Sequence, residues 1–311
     1  MKKTALSLIA LAVLAGGREP SAQQAPRGAP SLVGTFTLAS IEQTEGGTLA
    51  AAQGARGLLV FDAAGHVFEI VSRPNLQAGE GMTEAQARFH RTWGFWGGYR
   101  ADAPEGRIAY EPLGGPSPNV TGSRFSRTFE WAADRLVVTS VSGEPHTPGV
   151  RRWTWERVPT VDNLSEGYRS VVGFWQHVVE KRVNASTGAV LSESRRAPSV
   201  IVYTPAGFVG VHFPTLDRPR IAGAEPTDQE ARALGNYLGY FGALGVYPGM
   251  VFHNILGGGG VNAGSILKRF YELKGDELNI RFPPNTNRDG QPVTTLVTLK
   301  RLSGARDMLG P

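Results

Sequence analysis

Leu58-Leu59-Val60-Phe61-Asp62-Ala63-Ala64-Gly65 returns later in the chain as Val200-Ile201-Val202-Tyr203-Thr204-Pro205-Ala206-Gly207. Each stretch is a short apolar run that ends in a turn. Each is followed by a second apolar run, His66–Ser72 in the first case, so each reads as a β-hairpin. The correspondence extends outward in both directions. Leu32-Val33-Gly34-Thr35-Phe36 matches Val171-Val172-Gly173-Phe174-Trp175, Phe95-Trp96-Gly97 matches Tyr240-Phe241-Gly242, and Gly122-Ser123 matches Gly264-Ser265. The offset stays between 139 and 145 residues, far beyond the roughly 20–50 residues of a solenoid unit. The chain therefore holds one domain twice.

The remaining segments fit the same plan. Gly106–Glu111 and Gly249–Ile255 read as strands. Arg124–Trp131 with Arg135–Ser140 forms a hairpin, and Leu267–Leu273 with Glu277–Phe282 is its counterpart. Arg151–Val158 and Thr294–Leu302 close the two copies. Thr83-Glu84-Ala85-Gln86 and Thr227-Asp228-Gln229-Glu230 are capping boxes, which predict helices over Thr83–Trp93 and Thr227–Leu238. Gly257-Gly258-Gly259-Gly260 lacks the lysine and the strand–loop–helix setting of a phosphate loop, so it reads as a flexible connection, like Gly114-Gly115. Seven or eight short antiparallel strands must hide their edges, and closure into a barrel does so. The expected fold is all-β: two tandem antiparallel barrels, residues 31–158 and 168–302, each with one short helix. A linker from Pro159 to Gly167 separates them, and the tail after Ser303 reads as loose.

At 311 residues with 41% hydrophobic and 19% charged content, the composition is that of a globular protein with two full cores. The N-terminus carries Lys2-Lys3, an apolar run Ala5–Ala15 and then small residues. That pattern is a secretory signal over residues 1–17, too short for a spanning helix. Residues 18–30 read as a disordered leader, and the protein as periplasmic or secreted with no integral membrane segment after processing. The complete absence of cysteine excludes disulfides, thiolate nucleophiles and cysteine-ligated metals. The formal charge of +5 is spread in single residues and pairs. Nucleic acid would need a concentrated basic patch, so none is expected as a partner. No metal or cofactor site is expected either.

These motifs resemble the lipocalin-like domain of bacteria and fungi. Gly34-Thr35-Phe36 and Gly173-Phe174-Trp175 are similar to its Gly-x-Trp opening, and Val202-Tyr203-Thr204-Pro205-Ala206-Gly207 to its Tyr-Asp-Pro-x-Gly turn. The stretch from Tyr240-Phe241-Gly242 to Gly249-Met250-Val251-Phe252-His253 is similar to its Tyr-Phe-Gly and following histidine-bearing strand. The resemblance implies cup-shaped barrels. It also implies that the opening aromatic plugs the closed end beneath an arginine of the last strand, here Arg157 and Arg301.

Strand alternation then proposes what enters each cup. His253 shares a face with Val251 and Ile255, and Tyr110 shares one with Ile108 at the equivalent position. Glu69 enters the first cup if Val67 and Val71 do; on the opposite face His66 and His212 would enter instead. His253, Tyr110 and Glu69 are the candidate acid–base groups. Trp93, Trp96, Tyr99, Tyr237, Tyr240 and Phe241 are candidates to line a ligand-holding mouth. The expected function is binding of a small apolar or aromatic molecule in one or both cups. A cofactor-free isomerase, cyclase or lyase, and a structural or interaction protein, are the alternatives.

Overall fold

The computed structural model describes residues 30–309 apart from 46–47, 52, 80, 141–143, 145–149 and 224. The expected signal and nearly all of the expected leader lie outside the described residues. The first repeat contains β1 (Gly34–Glu45), β2 (Thr48–Ala51), β3 (Arg56–Phe61), β4 (His66–Ser72), α1 (Glu84–His90), β5 (Thr92–Asp102), β6 (Arg107–Gly114), β7 (Phe125–Ala132), β8 (Arg135–Ser140) and β9 (Arg151–Val158). All neighbours pair antiparallel, and β1 also pairs with β9, so β1 and β3 to β9 close an eight-stranded barrel. β2 extends β1 beyond the barrel wall.

After α2 (Glu166–Val171) the plan repeats with β10 (Gly173–Asn184), β11 (Val190–Ser194), β12 (Val200–Tyr203), β13 (Phe208–Phe213), α3 (Asp228–Ala233), a 3-10 turn (Leu234–Asn236), β14 (Leu238–Tyr247), β15 (Met250–Gly259), β16 (Ile266–Lys274), β17 (Glu277–Arg281), β18 (Asn285–Thr286) and β19 (Pro292–Ser303). β10 pairs with β19 to close the second eight-stranded barrel, leaving β11 and β18 as appendages. The all-β class and the tandem barrels are as the sequence implies.

Local chemistry explains the helices and the closures. Thr83 and Thr227 both form full capping boxes, with Gln86 and Glu230 reaching back to the cap amides. Both helices end sooner than periodicity suggests, because Trp93 and Leu238 are drawn into strands, where both are half-buried. Part of the expected linker is the helix α2, capped by Ser165. Gly173 opens β10 at φ 136, and a Cβ there would fall 1.8 Å from the carbonyl oxygen of Ser303. Only glycine lets first and last strands approach so closely.

Three apolar clusters hold the chain. One fills the first barrel around Phe36, Phe61, Phe95, Trp153 and Trp155. Another fills the second around Trp175, Tyr203, Tyr240 and Leu299. The third lies between the barrels and joins Leu58, Val60, Phe68, Ile70 and Trp96 to Val172, Phe174, Val200, Val202, Phe241 and Met308. β3, β4, β12 and β13 are therefore buried on both faces, which is why Leu58–Phe61 and Val200–Tyr203 read as unbroken apolar runs.

Two expectations change here. The tail is not loose: residues Ala305–Leu309 form α4, and Met308 is buried in the seam between barrels. The glycine run is not a flexible connection either. It ends strand β15, where a Cβ on Gly257 would come within 3.1 Å of Ser72 in the first barrel and 2.9 Å of the Phe241 ring.

Candidate functional site

Alternation sends Glu69 into the first barrel, as Val67 and Val71 imply. There its Oε2 accepts from Arg127 Nη1 at 2.7 Å. The same guanidinium donates to Glu144 through Nη2 at 2.6 Å and Nε at 3.1 Å. Both Arg127 and Glu69 are buried. Five rings surround the Arg127 guanidinium: Trp153 at 4.4 Å, Trp93 at 4.9 Å, Tyr110 at 5.2 Å, Phe125 at 5.3 Å and Phe95 at 5.4 Å. Ring faces attract a cation that has lost its water.

Burial pushes the Glu69 carboxyl up to about 7, even though Arg127 pulls it down. Burial also opposes the charge on Arg127, but Glu144 and Glu69 outweigh it and keep the guanidinium protonated. Three polar atoms next to this cation, Glu69 Oε1, Tyr110 Oη and Trp153 Nε1, are buried without a partner among the described residues. Burial raises the Tyr110 phenol well above its ordinary range, so it stays protonated. Sequence reasoning found Glu69 and Tyr110 but missed Arg127 and Glu144. Arg127 sits on β7 opposite Ser140, and its neighbours in sequence alternate too weakly to mark an inward face.

In the second barrel His253 occupies the place that Tyr110 holds in the first. Its Nδ1 lies 2.8 Å from the Tyr240 hydroxyl and its Nε2 lies 3.2 Å from that of Tyr203. Burial, assisted by Arg269, pushes the imidazole down to about 3, while burial holds Tyr240 up at about 12. The ring is therefore neutral, donating from one nitrogen and accepting at the other. A cavity of about 20 Å³ adjoins it, lined by Tyr240, Arg269, Phe213 and Phe282 among others. That is room for about one water molecule. His253 and the Glu69–Tyr110 pair thus belong to different barrels and cannot share one reacting centre.

The aromatic candidates divide. Trp96 and Phe241 face the seam between barrels, where Trp96 Nε1 donates to Pro198 O at 3.2 Å. Tyr99 packs on Phe61 and donates to Asp62 O at 2.7 Å. Tyr240 belongs to the second core. Trp93 stacks on Trp153 at 5.3 Å and opens onto the mouth of the first barrel. Tyr237 lines a second opening, and its hydroxyl bonds to His212 Nδ1. His212 points out of its own barrel, and its Nε2 donates across the seam to Glu69 O at 2.9 Å.

The openings at Trp93 and Tyr237 are adjacent. A cleft of about 250 Å³ lies between α1 and the α3 region, lined by Phe89, Leu234, Tyr237, Arg88, Arg232 and Gly235 among others. A side lobe of about 20 Å³ reaches the mouth of the first barrel at Trp93, Arg73, Arg151 and Ser117. Phe89, Thr92 and Pro116 line both. The two helices that flank the cleft are held together across the repeats. Gln86 Nε2 donates to Pro226 O at 2.6 Å, and His90 Nε2 pairs with Glu225 at 2.7 Å. The sequence located both helices but gave no sign that they face each other.

Among the described residues no group of three or more His, Asp or Glu side chains is placed to hold a metal ion. No described helix is long and apolar enough to cross a membrane. No family model matches the chain, and no curated protein matches it. A crystal structure of a protein of unknown function from the DUF3598 family of Nostoc punctiforme is similar at 11% identity, covering 87% of this chain and 96% of that one with a TM-score of 0.23.

Proposed function

We propose that the protein binds a small, largely apolar or aromatic molecule in the cleft between its two barrels, on a lipocalin-like scaffold. The observation that carries this is the cleft itself. At about 250 Å³ it lies just below the roughly 300–1,000 Å³ of small-molecule sites. Its walls are apolar and aromatic where Phe89, Leu234 and Tyr237 stand, and Glu84, Arg88 and Arg232 supply charged groups at its edge. The interior of the first barrel, by comparison, is filled by Arg127 and its rings, and the second offers space for about one water.

Gly235 supplies a clean test. It lines the cleft, and a Cβ there would meet nothing within 4 Å. Gly235→Phe is expected to fill the cleft without disturbing either barrel. Binding of a neutral aromatic dye, N-phenyl-1-naphthylamine, should weaken at least tenfold while the circular dichroism spectrum stays that of the wild type. A folded G235F protein that binds the dye as before would place the site elsewhere.

A further inference from the structure

Two arginines line the side lobe, and neither forms a salt bridge among the described residues, although Glu225 lies near both. Arg151 is 5% exposed, and its Nε is buried with no hydrogen-bond partner among the described residues. Its backbone is fixed on β9, where its N–H donates to Ser140 Oγ at 2.8 Å. Arg73, just beyond β4, spends Nε and Nη2 on the carbonyl of His90, at 3.2 and 2.8 Å. Both line the same lobe as Trp93, Phe89 and Ser117.

The neighbouring acids are already engaged. Glu225 is paired with His90 at 2.7 Å. Glu144 accepts twice from Arg127. Burial first and Arg73 second push Arg151 down to about 10, so it remains charged at neutral pH. A buried arginine is ordinarily paired or fully hydrogen-bonded. Here one lines a space that shares the wall of Phe89, Thr92 and Pro116 with an aromatic cleft, beside a second cation.

We infer that Arg73 and Arg151 bind the anionic group of a ligand whose apolar or aromatic body fills the cleft, so that the ligand is a small aromatic or apolar carboxylate, sulfonate or phosphate ester. This rests on the proposal that the cleft is a binding site, and it adds the chemical class of what binds there. The planar fork of a guanidinium matches such oxygens. The lobe of about 20 Å³ admits about one water-sized group, enough for one oxygen of the anion, and Phe89, common to both spaces, sits where body and anion would join.

A matched pair of dyes separates the two ideas. N-phenyl-1-naphthylamine is neutral, and 8-anilino-1-naphthalenesulfonate is the same ring system carrying an anion. In low salt the sulfonate is expected to bind the folded protein at least tenfold more tightly. Arg151→Met should collapse the ratio of the two dissociation constants toward one, and Arg151→Lys should restore part of it. Arg73→Met, at a less buried position, carries the same expectation if R151M does not fold. Equal affinities in the wild type, or a preference that survives both methionine variants, would overturn the anion site and leave the cleft proposal standing. A protein that binds neither dye, or whose binding ignores G235F, removes the cleft proposal and the anion site with it.

Discussion

Arg127 and Glu69 lie 58 residues apart in sequence and share a hydrogen bond of 2.7 Å in the middle of a barrel. Such a pair is weak evidence for stability, since desolvation can cancel the Coulomb gain. Its clearer consequence is in the pH dependence. The Glu69 carboxyl titrates near 7 in the fold against an ordinary 4.5. Between those pH values the native protein holds a proton that the unfolded chain has released. Stability carried by this group is therefore complete below about 4.5 and is lost as pH rises through 7. The full window corresponds to about 3 kcal/mol. Glu69→Gln should flatten that slope, so that its urea unfolding free energy changes less between pH 5 and pH 8 than the wild type's. Parallel curves for the two proteins would show that Glu69 is ionised throughout. Glu69 was legible in the sequence because a carboxylate stood between valines on a strand. Its partners were not, because a cation–π cage gathers residues from four strands and leaves no local pattern in any of them.

At the scale of the element, the two repeats close their barrels with the same device at different strength. Arg301 on β19 lies 4.0 Å over the Trp175 ring and donates to Val172 O at 2.9 Å and Ser170 O at 2.7 Å. Arg157 on β9 lies 4.5 Å over Phe36 and donates to Val33 O at 2.8 Å and to Ser31 O. The hydrogen bonds are matched and the rest differs: Arg301 lies over tryptophan, the better cation partner, and comes within 3.6 Å of Asp276, whereas Arg157 has Phe36 with Trp131 farther off at 5.5 Å. Arg301→Met is expected to cost about 1–2 kcal/mol and Arg157→Met less than about 1 kcal/mol. Urea unfolding midpoints of the two variants measure this, and the reverse order would show that the ring does not decide it. These strand ends were readable because glycine, aromatic and arginine recur at fixed places in both copies. The capping boxes were readable for the same reason. The short hairpin extensions β2 and β11 and the helix α2 were not. β11 is exposed along its whole length, and a fully exposed strand shows no hydrophobic alternation.

The repeat announced two domains, and the structure makes them one body. The sequence carried a hint of this: Leu58–Phe61 and Val200–Tyr203 are apolar at every position, which a barrel wet on its outside would not require. What it could not show is that each run answers the other. The seam cluster, the His212 bond to Glu69 O and the Trp96 bond to Pro198 O all cross between repeats. If that seam couples the barrels, they unfold together. Five of the six tryptophans, Trp93, Trp96, Trp131, Trp153 and Trp155, belong to the first repeat. Tryptophan fluorescence therefore follows that barrel, while far-ultraviolet circular dichroism follows both. In the wild type the two signals should give superimposable thermal transitions. Val202 is fully buried in the seam and faces away from the core of its own barrel. Val202→Asp places a carboxylate there at a cost of several kcal/mol, and both barrel cores keep their side chains. The two signals should then separate, with the second barrel melting first because the charge sits on its wall. Superimposable transitions in V202D, shifted together or not at all, would mean that the barrels are coupled by something other than this apolar seam. The cleft would then not depend on it. Separation would tie the cleft to the seam, since α1 and α3 face each other only while the barrels stay docked.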